Sequence, residues 1–252
     1  MKKIKRSVLI LVLLGSLFFV FAPEVVPENY QFQELLNLAV QNDVIIIFNS
    51  GGWGNTPLEK AEDFTPIIEG IKKTLEDFGY NSLIIPYIRT ENTLSGKIAG
   101  ARDFLSSYNS SSKILAKKVE FLTENLPDKK IILTGLSAGG ALVDETMGKI
   151  EAKASVYAIE AGVPFWTPPS RHPYNSENIL QLNNSGKDSL SAGEIRTLLF
   201  TLIKAPVKWI SSKISGQNLP FSQAFHAPGH DYLWDSPEVG SQIVTFLENK
   251  IR

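Results

Sequence analysis

The stretch from Lys130 to Glu145 reads KIILTGLSAGGALVDE, and it decides the fold. Its first part, KIILT, is an apolar run that predicts a buried strand, and helical character resumes over 141–150. Between them Gly135-Leu136-Ser137-Ala138-Gly139 matches G-x-S-x-G, the pattern of a sharp strand-to-helix turn. Side chains at the two glycine positions would collide with neighbouring backbone. The stretch therefore predicts a strand, a strained turn that presents Ser137, and a helix.

A glycine-rich turn of this kind has competing interpretations. It could be an ordinary strand-to-helix turn with no catalytic serine. A dinucleotide-binding turn requires G-x-G-x-x-G spacing, which this run lacks, and the chain contains no P-loop pattern. The flanking strand and helix favour a nucleophile at the carboxyl end of the sheet, where the N–H of Ala138 can donate to a developing oxyanion.

Outward from this stretch, short apolar runs alternate with longer segments of helical period. This alternation is typical of a mainly parallel sheet with helices on both faces. The remaining predicted strands are 44–48, 82–88, 154–159, 178–182 and 221–225; the remaining predicted helices are 64–78, 112–125, 194–214 with a break near Pro206, and 237–247. We predict one α/β domain over 43–252, preceded by a linker or leading helix at 23–42.

The composition of the 252-residue chain excludes several classes of function. With 43% hydrophobic and 20% charged residues it is ordinary for a globular protein. Twenty-five Lys and Arg against 26 Asp and Glu give a net charge of -1, so no overall positive field favours nucleic acid as a partner. Because the chain has no cysteine, it has no disulfide, no thiolate metal site and no cysteine nucleophile.

The first 22 residues predict a signal peptide or an N-terminal membrane anchor. Met1–Arg6 is basic and Ser7–Ala22 is apolar and uncharged, a length between that of a signal-peptide core and that of a spanning helix. Pro23 would follow the cleavage position, which favours retention as an anchor over secretion; a buried helix of the domain is the third interpretation. The basic cluster should stay in the cytoplasm, so we expect the domain to be extracytoplasmic.

A serine nucleophile needs a general base, and the chain has three histidines. His230 is the best candidate, because it follows a predicted strand in a loop before the last helix. His226 lies at the end of that strand and is expected to pack or hydrogen-bond locally. His172 lies in a proline-rich loop, as a solvated side chain or a substrate contact. A metal site at 226 and 230 is not expected, because Pro228 and Gly229 prevent the helix it would need.

A carboxylate should orient the histidine, and two candidates follow predicted strands. Asp188 lies in the loop after strand 178–182, although an aspartate there could simply cap the next helix. Glu160, at the end of the fourth strand, is the rival acid. Ser137, Asp188 and His230 follow one another in the chain order that hydrolases with a nucleophile elbow use.

From Asp43 to Arg252 the chain resembles the α/β-hydrolase superfamily. Three motifs carry the resemblance: GLSAG at 135–139, NNSGKDSLSAGE at 183–194 and APGHDYLWDSPEV at 227–239. The resemblance implies that the late-strand loop supplies the acid, Asp188, and the last loop the histidine, His230. It also implies a second oxyanion donor in 49–54, at Gly52 or Trp53, although the usual His-Gly is lacking there. Since little chain is left for the two leading strands of many members, we expect a minimal sheet.

The resemblance implies hydrolysis of a small-molecule ester or lipid through an acyl-enzyme, with no cofactor and no metal. Trp53, Phe165, Trp166 and Tyr174 could line an apolar acyl pocket, or simply pack in their loops. The apolar helix over 196–214, with its lysines, could rest on a membrane surface or belong to the core. A peptidase or thioesterase on the same fold, and a non-catalytic envelope binding module, remain as alternatives.

Overall fold

The computed structural model describes residues 32–151, 155–167, 176–217 and 226–252, and within them one five-stranded sheet in which every strand is parallel to its neighbours. The strands are β1 Val44–Asn49, β2 Ser82–Tyr87, β3 Lys130–Leu136, β4 Val156–Ala161 and β5 Ile179–Leu182, in the order β2-β1-β3-β4-β5. The three central strands β1, β3 and β4 are almost entirely buried, as expected for a parallel sheet covered on both faces.

Seven helices surround the sheet or connect its strands within the described residues. They are α1 Phe32–Ala39, α2 Thr65–Asp77, α3 Leu94–Leu105, α4 Asn109–Asn125, α5 Ala138–Met147, α6 Ile195–Ile214 and α7 Gln242–Lys250. Two buried apolar clusters lie on opposite faces of the sheet, one packed by α2 and α7 and the other by α1, α4 and α5. Helices on both faces and a parallel sheet make a three-layer α/β fold.

Within the described residues this arrangement has the parallel sheet and the two helix layers of the predicted fold class. From β1 the chain adds β2 on one side of the sheet, and it then adds β3, β4 and β5 on the other side. In open α/β sheets the ligand site lies at the carboxyl ends of the two strands where this change of side occurs, here β1 and β3. Ser137 occupies the single position between β3 and α5. The predicted fold class, a mainly parallel sheet with helices on both faces, is therefore confirmed.

Two helices differ from the sequence prediction. Helix α3 was not predicted, because Gly96 and Gly100 weaken the helical pattern. Packing explains Gly96, since a Cβ there would lie 2.2 Å from the carbonyl oxygen of Glu91. The predicted break near Pro206 was wrong, because α6 continues through it. Pro206 has no N–H to donate to the carbonyl of Leu202, as a helix would require. Because Leu202 and Pro206 are exposed, water can bond to this carbonyl instead.

Some predicted segments lie outside the described residues: the N-terminal segment 1–22, the first part of the linker 23–42, up to residue 31, and the strand 221–225. Of that linker, helix α1 is described, and it contributes Leu35 and Ala39 to one of the apolar clusters. Among the helices of the described ranges, none combines the length and apolar character needed to cross a bilayer.

Candidate active site

Ser137 lies in a strained backbone conformation between β3 and α5. Its φ of 55° and ψ of -119° are rare for a residue with a side chain, and such strain costs roughly 1–3 kcal/mol. Its N–H donates to the carbonyl of Ala161 at the end of β4, at 2.8 Å. The turn therefore holds Ser137 half-buried at the carboxyl edge of the sheet, directly before the first residue of a helix.

The two glycines of the motif are required by close backbone contacts, as predicted. A Cβ at Gly135 would lie 2.3 Å from the carbonyl carbon of Gly139. A Cβ at Gly139 would lie 2.2 Å from the carbonyl oxygen of Asn49 in β1. Both distances are far below van der Waals contact, so a side chain at Gly135 would push the start of α5 away from β3, and one at Gly139 would push it away from β1.

His230 and Asp188 form a hydrogen bond across two loops. Nδ1 of His230 lies 2.9 Å from Oδ2 of Asp188, although the residues are 42 positions apart in the chain. Asp188 is fully buried, and the side chain of His230 is 13% exposed. The carboxylate thus fixes Nδ1 as the protonated nitrogen and leaves Nε2 as the basic atom.

Four further hydrogen bonds hold the carboxylate of Asp188. The hydroxyls of Tyr232 and Ser191 donate to Oδ2 at 2.6 and 2.8 Å, and the N–H groups of Leu190 and Ser191 donate to Oδ1 at 2.8 and 3.3 Å. Burial opposes ionisation of Asp188, but the hydrogen bonds from His230, Tyr232 and Ser191 outweigh it and hold its pKa at about 2. The acid is therefore ionised and fixed in orientation at neutral pH.

The acid loop and the histidine loop are tied together through their backbones. The N–H and hydroxyl of Ser189 both donate to the carbonyl of Pro228, at 3.0 and 2.9 Å, and Nδ2 of Asn184 donates to the carbonyl of Gly229. Gly229 has a φ of 76°, and a Cβ there would lie 2.0 Å from the carbonyl oxygen of Lys187. The geometry of the Asp188–His230 pair is thus fixed by the main chain as well as by the two side chains.

Gly162 connects the histidine with the serine turn. It follows Ala161, whose carbonyl accepts the N–H of Ser137, and a Cβ at Gly162 would lie 2.4 Å from Cε1 of His230. The imidazole therefore packs directly on the backbone of the peptide next to the one that holds Ser137. This is how the structure brings His230 to the carboxyl edge of β3 and β4.

The loop after β1 lies against the serine turn. A Cβ at Gly51 would lie 3.1 Å from the carbonyl oxygen of Leu136 and 3.7 Å from Cβ of Ser137. Gly52, the next residue, has a φ of 55° and open space where its side chain would be. The oxyanion donors expected at Ala138 and at Gly52 or Trp53 stay a prediction.

Arg89 holds the loop after β1 through hydrogen bonds to its backbone. One guanidinium nitrogen donates to the carbonyls of Ser50 and Gly52, at 3.2 and 3.0 Å, and the guanidinium lies 5.1 Å from the ring centre of Tyr108. Arg89 is buried, and burial lowers its pKa against the opposing influence of Tyr108 and Asp103. Two backbone carbonyls bound to one cation restrict the orientation of the peptides between them.

The rival candidates lie elsewhere. Glu160 is buried within β4 and accepts a hydrogen bond from Gln181 at 3.0 Å. Burial foremost, and then the charge of Asp144, raises its pKa well above the ordinary value, against the hydrogen bond from Gln181. Nε2 of His226 lies 2.9 Å from Oδ1 of Asp231 at the surface, a local contact of the kind that the sequence suggested. His172 lies outside the described residues.

Three of the predicted pocket residues are partly exposed aromatic side chains. Trp53 lies in the loop after β1, and Phe165 and Trp166 follow β4 and contact each other edge to face. The N–H of Phe165 donates to the carbonyl of Leu190 in the acid loop. Tyr174 lies outside the described residues, so its place near this site stays a prediction.

Sequence reasoning missed Tyr232, Arg89 and Gly162. Tyr232 lies two residues after His230, and in a loop this spacing does not predict that its side chain contacts Asp188. Arg89 acts on backbone carbonyls, which every residue has, and so leaves no complementary side chain in the sequence to find. Gly162 follows a strand like many loop glycines, and only the packed histidine shows why a side chain is not tolerated.

No family model matches the chain, and no curated relative matches it. Among solved structures, a cutinase from Trichoderma reesei in complex with a phosphonate inhibitor is 16% identical with a TM-score of 0.41, over 60% of this chain and 70% of that one. A cutinase-like protein from a Cryptococcus species is 16% identical with a TM-score of 0.35, over 48% of this chain and 54% of that one. At such identity neither likeness transfers a function to this chain.

Proposed function

We propose that this chain, an α/β-hydrolase fold with a strained serine after its central strand, is a serine hydrolase that cleaves carboxylic esters through an acyl-enzyme. The observation that carries the proposal is the buried Asp188–His230 hydrogen bond beside the Ser137 turn. An ionised acid that orients a histidine next to a serine is the arrangement that activates a hydroxyl nucleophile.

In this mechanism Oγ of Ser137 attacks the ester carbonyl carbon while Nε2 of His230 accepts the hydroxyl proton. The resulting oxyanion accepts hydrogen bonds from the N–H of Ala138 and from the loop after β1, at Gly52 or Trp53. When the tetrahedral intermediate collapses, the C–O bond to the leaving group breaks, and His230 returns its proton to the departing alcohol. Water then attacks the acyl-enzyme, His230 accepts a proton from it, and the free acid leaves with Ser137 restored.

The side chains around the turn support an apolar acyl group. Trp53 belongs to the loop that supplies the second oxyanion donor, and Phe165 is hydrogen-bonded to the acid loop through its N–H. Together with Trp166, these side chains provide exposed aromatic area on the loops that follow β1 and β4, which favours an ester or lipid over a charged substrate.

The first test is hydrolysis of p-nitrophenyl esters of short to long chain by the protein and by Ser137→Ala, with Ser106→Ala, an exposed serine at the end of α3, as the matched control. We expect activity in the protein and the control and none above background in Ser137→Ala. Retained activity in Ser137→Ala would overturn the assignment of the nucleophile.

A fluorophosphonate probe separates the remaining alternatives. Labelling at Ser137 without hydrolysis of any ester would favour a peptidase or thioesterase, which amide and thioester substrates would then identify. A folded protein that neither reacts with the probe nor hydrolyses esters would be a binding module.

The compartment is a separate part of the proposal. The basic cluster and apolar run of 1–22 support a domain outside the cytoplasm, held by an uncleaved anchor. The intact mass of the protein from its native host tests this. A mass equal to that of residues 23–252 would show that 1–22 is a cleaved signal peptide and not an anchor.

A further inference from the structure

Helix α6 exposes its apolar face to solvent. Leu199, Ile203, Val207, Ile210 and Ile214 recur at spacings of three and four residues, so they form one stripe along the helix. Each of them is between 51% and 83% exposed. The buried positions are Ala205 and Ser212, seven residues apart on another side. A surface helix of a globular protein normally has the opposite arrangement, with its large apolar residues turned inward.

The charges on α6 are all of one sign. The helix contains Arg196, Lys204, Lys208 and Lys213, and no acidic residue occurs between 195 and 214. Among these, Lys204 lies 5.8 Å from the ring centre of Phe200, so its charge lies beside exposed aromatic surface. Whatever covers this face must therefore offer an apolar layer together with negative charge.

Two occupants from the chain itself do not meet this requirement. A second copy packed through the same face would bring the same four cations against each other. The apolar N-terminal run, 7–22, is preceded by Lys2, Lys3, Lys5 and Arg6, and it contains no acidic residue. Neither supplies the negative charge that complements α6.

We propose that the outer face of α6 binds the surface of a membrane that contains anionic lipids, with its aliphatic stripe in the headgroup region. A helix with a continuous apolar stripe and flanking lysines or arginines lies in the plane of such an interface and gains affinity from anionic headgroups. The five aliphatic side chains supply the buried apolar area, and Lys204 and Lys208 contact the headgroups.

The position of α6 relates this surface to the candidate active site. The N–H of Ala192 donates to the carbonyl of Asp188, and the N–H of Glu194, directly before α6, donates to that of Ser189. A Cβ at Gly193 would lie 3.2 Å from the ring of Phe165. The lipid-binding face therefore begins beside the acid loop and the exposed aromatic residues. The binding itself does not depend on the proposed ester hydrolysis.

Because the chain has no cysteine, a single introduced cysteine reports on one position of the full-length protein. Ile210→Cys and Lys73→Cys, each labelled with an environment-sensitive nitrobenzoxadiazole, compare α6 with an exposed position on α2 that is remote in sequence from the expected anchor. Vesicles of phosphatidylcholine alone and of equal parts phosphatidylcholine and phosphatidylglycerol are the ligands. We expect a blue shift and a rise in emission at position 210 with the anionic vesicles, and none at 73.

A second pair of variants tests the charges. In the labelled protein, Lys204→Gln with Lys208→Gln should weaken the binding of α6 to the anionic vesicles, read from the emission at position 210, roughly fivefold for each lysine. The matched change Lys72→Gln with Lys73→Gln on α2 should leave it unaltered. No change in emission at 210 with either vesicle would overturn the proposal. So would a change that appears with protein concentration in the absence of lipid, because it would identify a second copy as the occupant.

Discussion

The hydroxyl of Tyr232 donates a 2.6 Å hydrogen bond to Oδ2 of Asp188, the oxygen that also bonds the imidazole of His230. Tyr232 is buried, and its ring meets that of His230 edge to face with centres 5.7 Å apart. One tyrosine thus contacts both members of the acid–base pair and fixes the distance between their loops. Burial and the neighbouring Asp188 raise the pKa of Tyr232 far above its ordinary value, so it acts as a permanent donor.

Replacing Tyr232 with Phe should loosen this pair without removing it. We expect stability to fall by about 1.5–3 kcal/mol, since the lost hydrogen bond is to a charged group, and kcat to fall roughly tenfold. Tyr157→Phe, at a buried tyrosine near the amino end of β4, serves as control and should keep full activity. Equal activity in both variants would contradict a positioning role for Tyr232.

The low pKa of Asp188 predicts how stability depends on acid. The native pKa of about 2 lies below the ordinary 3.8, so on acidification the unfolded state takes up the proton first. Stability from this group is present above pH 4 and is lost as the pH falls towards 2, by about 2 kcal/mol in total. Between pH 6 and pH 2, the free energy of unfolding measured in urea should fall less in Asp188→Asn than in the original protein. An identical fall in both proteins would contradict the low native pKa of Asp188.

Asp188→Asn and Glu160→Gln should separate the two candidate acids. An asparagine in place of Asp188 cannot stabilise the imidazolium and favours the wrong tautomer, so kcat should fall about 10³–10⁴-fold. Burial raises the pKa of Glu160 well above its ordinary value, and Glu160 bonds Gln181 and not the histidine; glutamine has the same shape, so Glu160→Gln should remain within about threefold of the original activity. The reverse ranking would move the acid to Glu160.

Gly162→Ala should remove activity by displacing the imidazole of His230. Its φ of 63° makes any side chain strained by roughly 1–2 kcal/mol, and the new Cβ would also collide with Cε1 of His230. Gly186→Ala is a matched control, because its φ is 77° but nothing lies within 4 Å of the added carbon. We expect Gly186→Ala to lose stability through backbone strain alone and to stay active, whereas Gly162→Ala loses somewhat more stability and its activity. Full activity in Gly162→Ala would show that this contact does not hold the base.

Arg89→Lys should disturb the oxyanion loop. Lysine keeps the charge but lacks the planar group that binds the carbonyls of Ser50 and Gly52 together. Because the loop would donate to the transition state and not to the ground state, we expect kcat to fall 10–100-fold with KM nearly constant. A rise in KM alone would instead assign Arg89 to substrate binding.

The sequence predicts those features that depend on local properties of the chain. The apolar run of β3 and its two glycines predicted the Ser137 turn, because strand period and steric exclusion act locally. Loop positions after strands were enough to suggest Asp188 and His230, since the carboxyl ends of parallel strands share one edge. That these two side chains meet is a feature of the structure; their catalytic roles stay a prediction.

The outward face of α6 could not have been read from the sequence. The spacing of Leu199, Ile203 and Val207 predicts that one side of a helix is apolar, but periodicity carries no information about which way that side turns. The same applies to the hydrogen bonds of Arg89, which go to main-chain atoms. Direction and backbone contacts are decided by the tertiary packing.

The strand order has a consequence for how the chain folds. The central strand β1 pairs with β2 and with β3, so Val44 must find both Ser82 and Lys130 before the middle of the sheet exists. Contacts between such distant parts of a chain make folding slow. Apolar runs such as VIIIF at 44–48 are prone to aggregate before they have paired in the sheet. Pro86 in the edge strand β2 lacks a backbone donor and limits strand addition there once the sheet has formed. Refolding yield should therefore depend steeply on protein concentration, whereas the folded protein resists association through this edge.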